Sequence, residues 1–156
     1  MAAHRHLRRL DSVWIEPPIY FVTTCAKCRG ALFARDDAAA ILIDELRQAR
    51  QRHGWRVGRF VIMPDHLHLF CANDGSPGAV PLSHFIGSFK QWTAKRMMAT
   101  GVPGPIWQKQ FFDHLLRSPQ SYGDKWAYVR ENPVRAGLVA RAEDWHYAGE
   151  IESLEL

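Results

Sequence analysis

Two hydrophobic periodicities take turns along the chain. β-Branched and aromatic residues at 19–24, behind Pro17-Pro18, predict a first strand. Asp36 then stands as the cap of a helix reaching about His53, with Ala39, Leu42, Ile43, Leu46 and Ala49 at helical spacing and Gly54 as its stop. Two apolar runs follow, 55–63 and 66–72, separated only by the turn dipeptide Pro64-Asp65, which predicts a tight reversal between two strands. After a Gly/Ser/Pro/Asp loop at 73–78, Leu82, Phe85, Ile86, Phe89 and Met97 line one side of a second helix over 82–99, which Gly101 to Pro105 ends. Residues 106–116 read as a fourth strand. Ser118-Pro119 has the form of an N-cap and first helical residue, and the helix it opens is expected to run to about Asn132, before Pro133. The order β-α-β-β-α-β plus a helix predicts an α+β fold: a ferredoxin-like antiparallel sheet with two helices on one face and an added C-terminal helix. That plan hosts many unrelated activities, so function has to be read from side chains.

With 156 residues, 47% apolar and 23% charged, the chain is expected to form one domain. Its core is expected over about 14–147, with a basic N-terminal arm at 1–13 and a tail at 148–156. The longest apolar run, 38–43, is far short of the roughly 20 residues of a membrane helix, and no apolar segment follows the N-terminal charges. The expected compartment is the cytoplasm, with no membrane partner. The net charge of +4 permits nucleic-acid binding without requiring it. Three cysteines, Cys25, Cys28 and Cys71, are an odd number for a disulfide framework. Cys25 and Cys28 have zinc-ligand spacing but no second pair to complete a site.

His66-Leu67-His68 falls in a predicted strand, so both imidazoles project from one face and Leu67 and Leu69 from the other. Taken alone, the pair fits either two structural histidines or half a metal site. In the third helix, Tyr122, Trp126 and Val129 form a core stripe, and Tyr128 lies about 100° away from it. Asn132 follows Tyr128 at i+4, which on one continuous helix stacks phenol and amide a turn apart. That spacing fits either a partly exposed Tyr beside a helix-ending Asn-Pro, or a nucleophile beside an amide ligand.

The blocks Met63-Pro64-Asp65-His66-Leu67-His68-Leu69, Trp107-Gln108 and Tyr128-Val129-Arg130-Glu131-Asn132-Pro133-Val134-Arg135-Ala136-Gly137-Leu138-Val139 resemble those of the REP-associated tyrosine transposases, relatives of the single-tyrosine HUH transposases. The resemblance spans about residues 14–147, and these motifs, in this order, are specific. It implies a ferredoxin-like catalytic domain that binds single-stranded or hairpin DNA and cleaves and rejoins strands with a divalent metal and one tyrosine. His66 and His68 would be the metal pair, Tyr128 the nucleophile, and Asn132 a polar third ligand where some relatives carry Gln. Such an open donor set suits Mn²⁺, and Mg²⁺ acceptably, better than structural zinc.

On that reading Tyr128 forms a 5′-phosphotyrosine link and frees a 3′-OH, conserving the bond energy for rejoining. His114 is an accessory candidate for proton transfer or substrate contact. Backbone-contact candidates are Lys90, Lys95 and Arg96 on the second helix and Arg117, Arg130 and Arg135 near the third. Trp92 and Trp107 could stack on bases or belong to the core. A monomer acting in cis is expected. The alternatives are a hairpin-binding module without chemistry and a metal phosphodiesterase with a water nucleophile.

Overall fold

The computed structural model describes residues 18–28 and 30–154, so the expected N-terminal arm lies outside the described residues. Its elements run β1 (Ile19–Ala26), α1 (Asp36–Arg47), α2 (Ala49–His53), β2 (Trp55–Met63), β3 (His66–Asn73), α3 (Leu82–Ala99), β4 (Trp107–Leu116), α4 (Pro119–Val129), α5 (Asn132–Arg135), a 3₁₀ turn (Ala142–Asp144) and β5 (Ala148–Glu150). The sheet order is β4-β1-β3-β2-β5, with every neighbouring pair antiparallel. The first four strands have the ferredoxin-like arrangement expected from the sequence. No helix among the described residues is long and apolar enough to cross a membrane.

Alternation along the strands divides the core in two. Leu67, Leu69, Ile62 and Phe60 bury one sheet face against Leu42 and Leu46 of α1 and Phe85, Ile86 and Met97 of α3. On the opposite face, Phe21, Val61, Met63 and Phe70 meet Tyr122 and Val129 of α4. The added helix therefore covers the side that the two ferredoxin-like helices leave open. Ser118 caps it as expected, its hydroxyl accepting from the Ser121 N–H while Ser121 returns the contact to the Ser118 N–H.

The structure corrects four local expectations. Asp36 is the first residue of α1, not its cap, because its carboxylate accepts a hydrogen bond from the Tyr147 hydroxyl at 2.7 Å. The helix expected through His53 breaks at Gln48 into α1 and α2, and Gly54 ends α2 in the left-handed conformation, φ 75°, where a Cβ would lie 2.7 Å from the Ala79 Cα. The third helix stops at Val129 instead of Asn132. Pro133 has no N–H and its ring would clash with the carbonyl four residues back, so α5 begins as a separate turn. Finally, the stretch expected as a tail supplies β5 on the edge of β2, and Leu154 is buried under α4.

Between Val57 and Phe60 the register of β2 slips, so that odd-numbered residues face α1 and α3 before the slip and even-numbered ones after it. Gly58 sits in that irregularity. A Cβ there would lie 2.6 Å from Leu154 Cδ1 and 2.8 Å from the Tyr122 hydroxyl. Gly58→Ala should therefore destabilise the fold by about 1–3 kcal/mol through overpacking. Urea unfolding should show the midpoint falling with an unchanged slope; an unchanged midpoint would mean that Leu154 moves aside freely.

Candidate active site

His66 and His68 open β3 just after the Pro64-Asp65 turn, and their rings lie side by side with centroids 4.7 Å apart. Both project from the α4 face of the sheet, as the strand period requires, while Leu67 and Leu69 are fully buried beneath α1 and α3. Each imidazole is oriented through Nδ1. His66 Nδ1 lies 2.7 Å from Asp65 Oδ1, and a carboxylate only accepts, so His66 carries its hydrogen there and, when neutral, leaves Nε2 as a lone pair. His68 Nδ1 shares a 2.8 Å hydrogen bond with the Thr23 hydroxyl on the neighbouring strand. A carboxylate or hydroxyl behind Nδ1 is the support that metal-binding histidines commonly have. Among the described residues, no group of three or more His, Cys, Asp and Glu side chains could hold a metal.

Burial pushes His68 down to about 3, helped by His66 and by the positive charges of Lys125 and Arg135. His68 is therefore neutral, the form that ligates, across the physiological range. Below pH 6.5 an unfolded His68 takes up a proton that the folded one does not accept until about pH 3. The stability this residue contributes is complete above pH 6.5 and is lost as the pH falls through that window. In EDTA, the stability difference between the wild type and His68→Gln should shrink as the pH falls from 6.5 towards 3. A pH-independent difference would contradict the depressed titration.

Tyr128 lies in the last turn of α4 and is 61% exposed, off the buried stripe of Tyr122 and Val129. The Arg135 guanidinium stands 3.9 Å from its ring centroid, and the same side chain donates to the Tyr128 carbonyl at 2.7 Å and to Asn132 Oδ1. Asn132 does not continue the helix above Tyr128; Arg135 links the two instead. Because Arg135 also acts electrostatically on His68, it connects the tyrosine end of α4 to the histidine pair. Lys125, one turn before Tyr128, is the second connection: its ammonium lies 4.8 Å from the Phe21 ring centroid, and Phe21 stacks on His68 at 5.2 Å. The sequence reading missed Lys125, Asp65 and Thr23. The i−3 spacing from Tyr128 could have flagged Lys125, and adjacency to His66 could have flagged Asp65.

The other sequence candidates separate. Lys90 is buried, its ammonium donating to the carbonyls of Lys109 at 3.0 Å and Gln110 at 3.3 Å, so it presents no charge to a ligand. Arg96 is engaged by Asp44 at 2.6 Å and Glu45 at 2.8 Å, and Lys95 lies beside the exposed Trp92 ring. All three belong to α3, across the sheet from the histidines. Trp107 is core: its N–H donates to Thr93 at 3.0 Å and its ring meets Phe33 at 4.6 Å. Arg117 is exposed between β4 and α4, and Arg130 pairs with Glu143 at 2.8 Å. His114 is exposed on β4 directly across from Phe21, on the histidine face. Cys25 lies across from His66 on β1, and all three cysteines are free, with burial raising the Cys71 thiol.

The family description "Transposase IS200 like" matches residues 18–117. A Haemophilus influenzae protein described as a candidate REP-associated tyrosine transposase is 25% identical over 143 residues, covering 83% of this chain and 78% of that protein. A REP-associated tyrosine transposase of Escherichia coli K12 is 24% identical over 95 residues, covering 60% of this chain and 53% of that protein. Among solved structures, a REP-associated tyrosine transposase bound to a REP hairpin superposes with a TM-score of 0.70 at 21% identity, covering 86% of this chain and 78% of that one. A candidate transposase of Deinococcus radiodurans gives 0.54 at 21% identity, over 76% of this chain and 92% of that one. These structures carry the same fold.

Proposed function

The chain belongs to the IS200-like transposase family and resembles its REP-associated tyrosine members, and we propose that it is a metal-dependent single-stranded DNA endonuclease and strand transferase acting on hairpin-forming repeat DNA. One observation carries this reading. Two histidines with outward Nε2 atoms share a sheet face with the helix that presents an exposed tyrosine between Lys125 and Arg135.

The donor set fits an open divalent site. His66 and His68 would hold Mg²⁺ or Mn²⁺ through Nε2, with Asp65 and Thr23 fixing the rings. Asn132 would add an amide oxygen, whose two lone pairs allow it to serve the ion and Arg135 together. When bound, the ion would polarise a phosphate oxygen and offset the charge of the transition state. Tyr128 would attack phosphorus, forming the Tyr–O–P bond as the P–O3′ bond breaks. The 3′ oxygen would take up a proton and leave as a hydroxyl, and the phenol would give one up, with His114, exposed on the histidine face, as the proposed carrier. The covalent link stays on the 5′ side of the break, and a 3′-OH reverses the step to rejoin strands. Arg135 would hold the tyrosine ring during attack, while Arg117, and Arg130 by exchanging its Glu143 partner, would contact the DNA backbone. A monomer acting in cis is the reading favoured, since Lys125 lies over Phe21, which stacks on His68 of the same chain, and Arg135 lies over the Tyr128 ring.

The test is a labelled DNA hairpin from the chain's own genomic flanks, incubated with Mn²⁺ or Mg²⁺ and run on a denaturing protein gel. The expected result is label at the protein's mass, absent with EDTA. Cut DNA without an adduct would select the water-nucleophile phosphodiesterase, and binding without cutting on every flank would select the binding module.

A further inference from the structure

Phe112 is the most exposed large hydrophobic side chain among the described residues, at 65%. It lies in the middle of β4, and its Cα pairs directly with that of Thr23, which in turn pairs with His68. Directly paired residues point to the same side of a sheet. The hydrogen bond from Thr23 to His68 fixes that side as the histidine face, and Leu116, four residues along β4, confirms it by packing beneath α4. Phe112, Thr23 and His68 therefore form one row across three strands. Two strand spacings put the Phe112 Cα about 10 Å from that of His68.

Nothing in the fold requires a phenyl ring here. It buries little, and an exposed aromatic on an edge strand invites association, so a polar β-branched residue would serve the sheet better. Its neighbours on the same face, Gln110 and His114, are also exposed, and the strand's acidic residue, Asp113, alternates to the other face. The strip beside the histidines is thus aromatic, flanked by hydrogen-bonding side chains and free of carboxylates. Two cations accompany this face: Lys125 of α4 lies over the Phe21 ring, which stacks on His68, and Arg135 of α5 lies over the Tyr128 ring. An apolar ring on the same face as cationic side chains is the pairing that single-stranded nucleic acid uses: backbone on cations, base on an aromatic.

We propose that Phe112 is a base-stacking platform, seating one unpaired nucleobase of the DNA strand whose phosphate lies at the histidine pair. It rests on the single-stranded DNA reading above and adds the residue that sets where along the strand the phosphate stops. Phe112 is a positioning residue; it touches the substrate's base and none of the reacting atoms.

The experiment uses the full chain carrying Tyr128→Phe, in EDTA, so that the DNA stays uncut. The probe is a hairpin from the chain's own genomic flank, with 2-aminopurine walked through its unpaired flank. One position should be quenched on binding. Adding Phe112→Ala should restore fluorescence at that position and weaken binding about five- to hundred-fold, whereas Phe112→Trp should preserve both. An abasic nucleotide at the same position should weaken binding to the Phe112 protein and leave Phe112→Ala indifferent. If a quenched position persists in Phe112→Ala, or no position is quenched although the hairpin binds, the platform is overturned and the strand-transfer reading stands. If no hairpin binds either protein and no adduct forms with the wild type, both fall together. A two-chain mass by light scattering that reverts to one chain in Phe112→Ala would overturn the platform in favour of a contact between copies.

Discussion

Tyr128→Phe should lower covalent protein–DNA adduct by at least about 10³-fold while leaving hairpin affinity within roughly twofold. The size follows from what is removed. Only one oxygen is lost, but on the proposed mechanism it is the atom that bonds to phosphorus, and no other group substitutes for a missing nucleophile. The selectivity follows from the surroundings. Tyr128 is exposed, and its ring is held by the Arg135 guanidinium, a contact a phenyl ring retains. Its hydroxyl has no hydrogen-bond partner among the described residues, so folding should change by less than about 0.5 kcal/mol. A gel for the adduct, an anisotropy titration for binding and a melting curve for stability separate the three effects. Undiminished cutting in Tyr128→Phe would assign the attack to water and make Tyr128 a surface residue.

What the sequence made legible is what local rules decide. Alternation in His66-Leu67-His68 put both imidazoles on one face, and Ser118-Pro119 fixed the start of α4. Leu67 and Leu69 are fully buried, and the Ser118 cap is made, because each depends on neighbours within a few residues. The misses all depend on a distant partner. Asp36 looks like a cap until Tyr147 takes its carboxylate. Lys90 looks like a surface cation until β4 carbonyls take its ammonium. Strand β5, three residues long, has no pattern of its own and exists through its pairing with β2. Arg135 read as one more basic residue, and only the folded chain places it on Tyr128 and within electrostatic reach of His68. The spacing of Tyr128 and Asn132 misled for a different reason. It assumed a continuous helix, and Pro133 divides it.

His66→Ala should weaken Mn²⁺ binding by at least about 100-fold and abolish metal-dependent adduct formation, and Asp65→Asn should fall between this variant and the wild type. His66 is the cleaner of the two histidines to remove. His68 stacks on Phe21 and bonds Thr23 across the sheet, so its loss also disturbs packing, whereas His66 rests on the adjacent Asp65. Truncation at His66 removes one imidazole donor outright. Asp65→Asn keeps the donor but replaces the carboxylate behind Nδ1 with an amide, which accepts a weaker hydrogen bond and lowers the basicity of Nε2. The expected order of Mn²⁺ affinity is therefore wild type, Asp65→Asn, His66→Ala, with the middle variant about 10- to 100-fold below the first. Electron paramagnetic resonance of free Mn²⁺ reads this without any DNA present, and hairpin binding in EDTA should be the same for all three. Equal Mn²⁺ affinity in wild type and His66→Ala would remove the histidine pair from the metal site. The same order in metal affinity and in adduct yield would tie the face of β3 to the chemistry of α4.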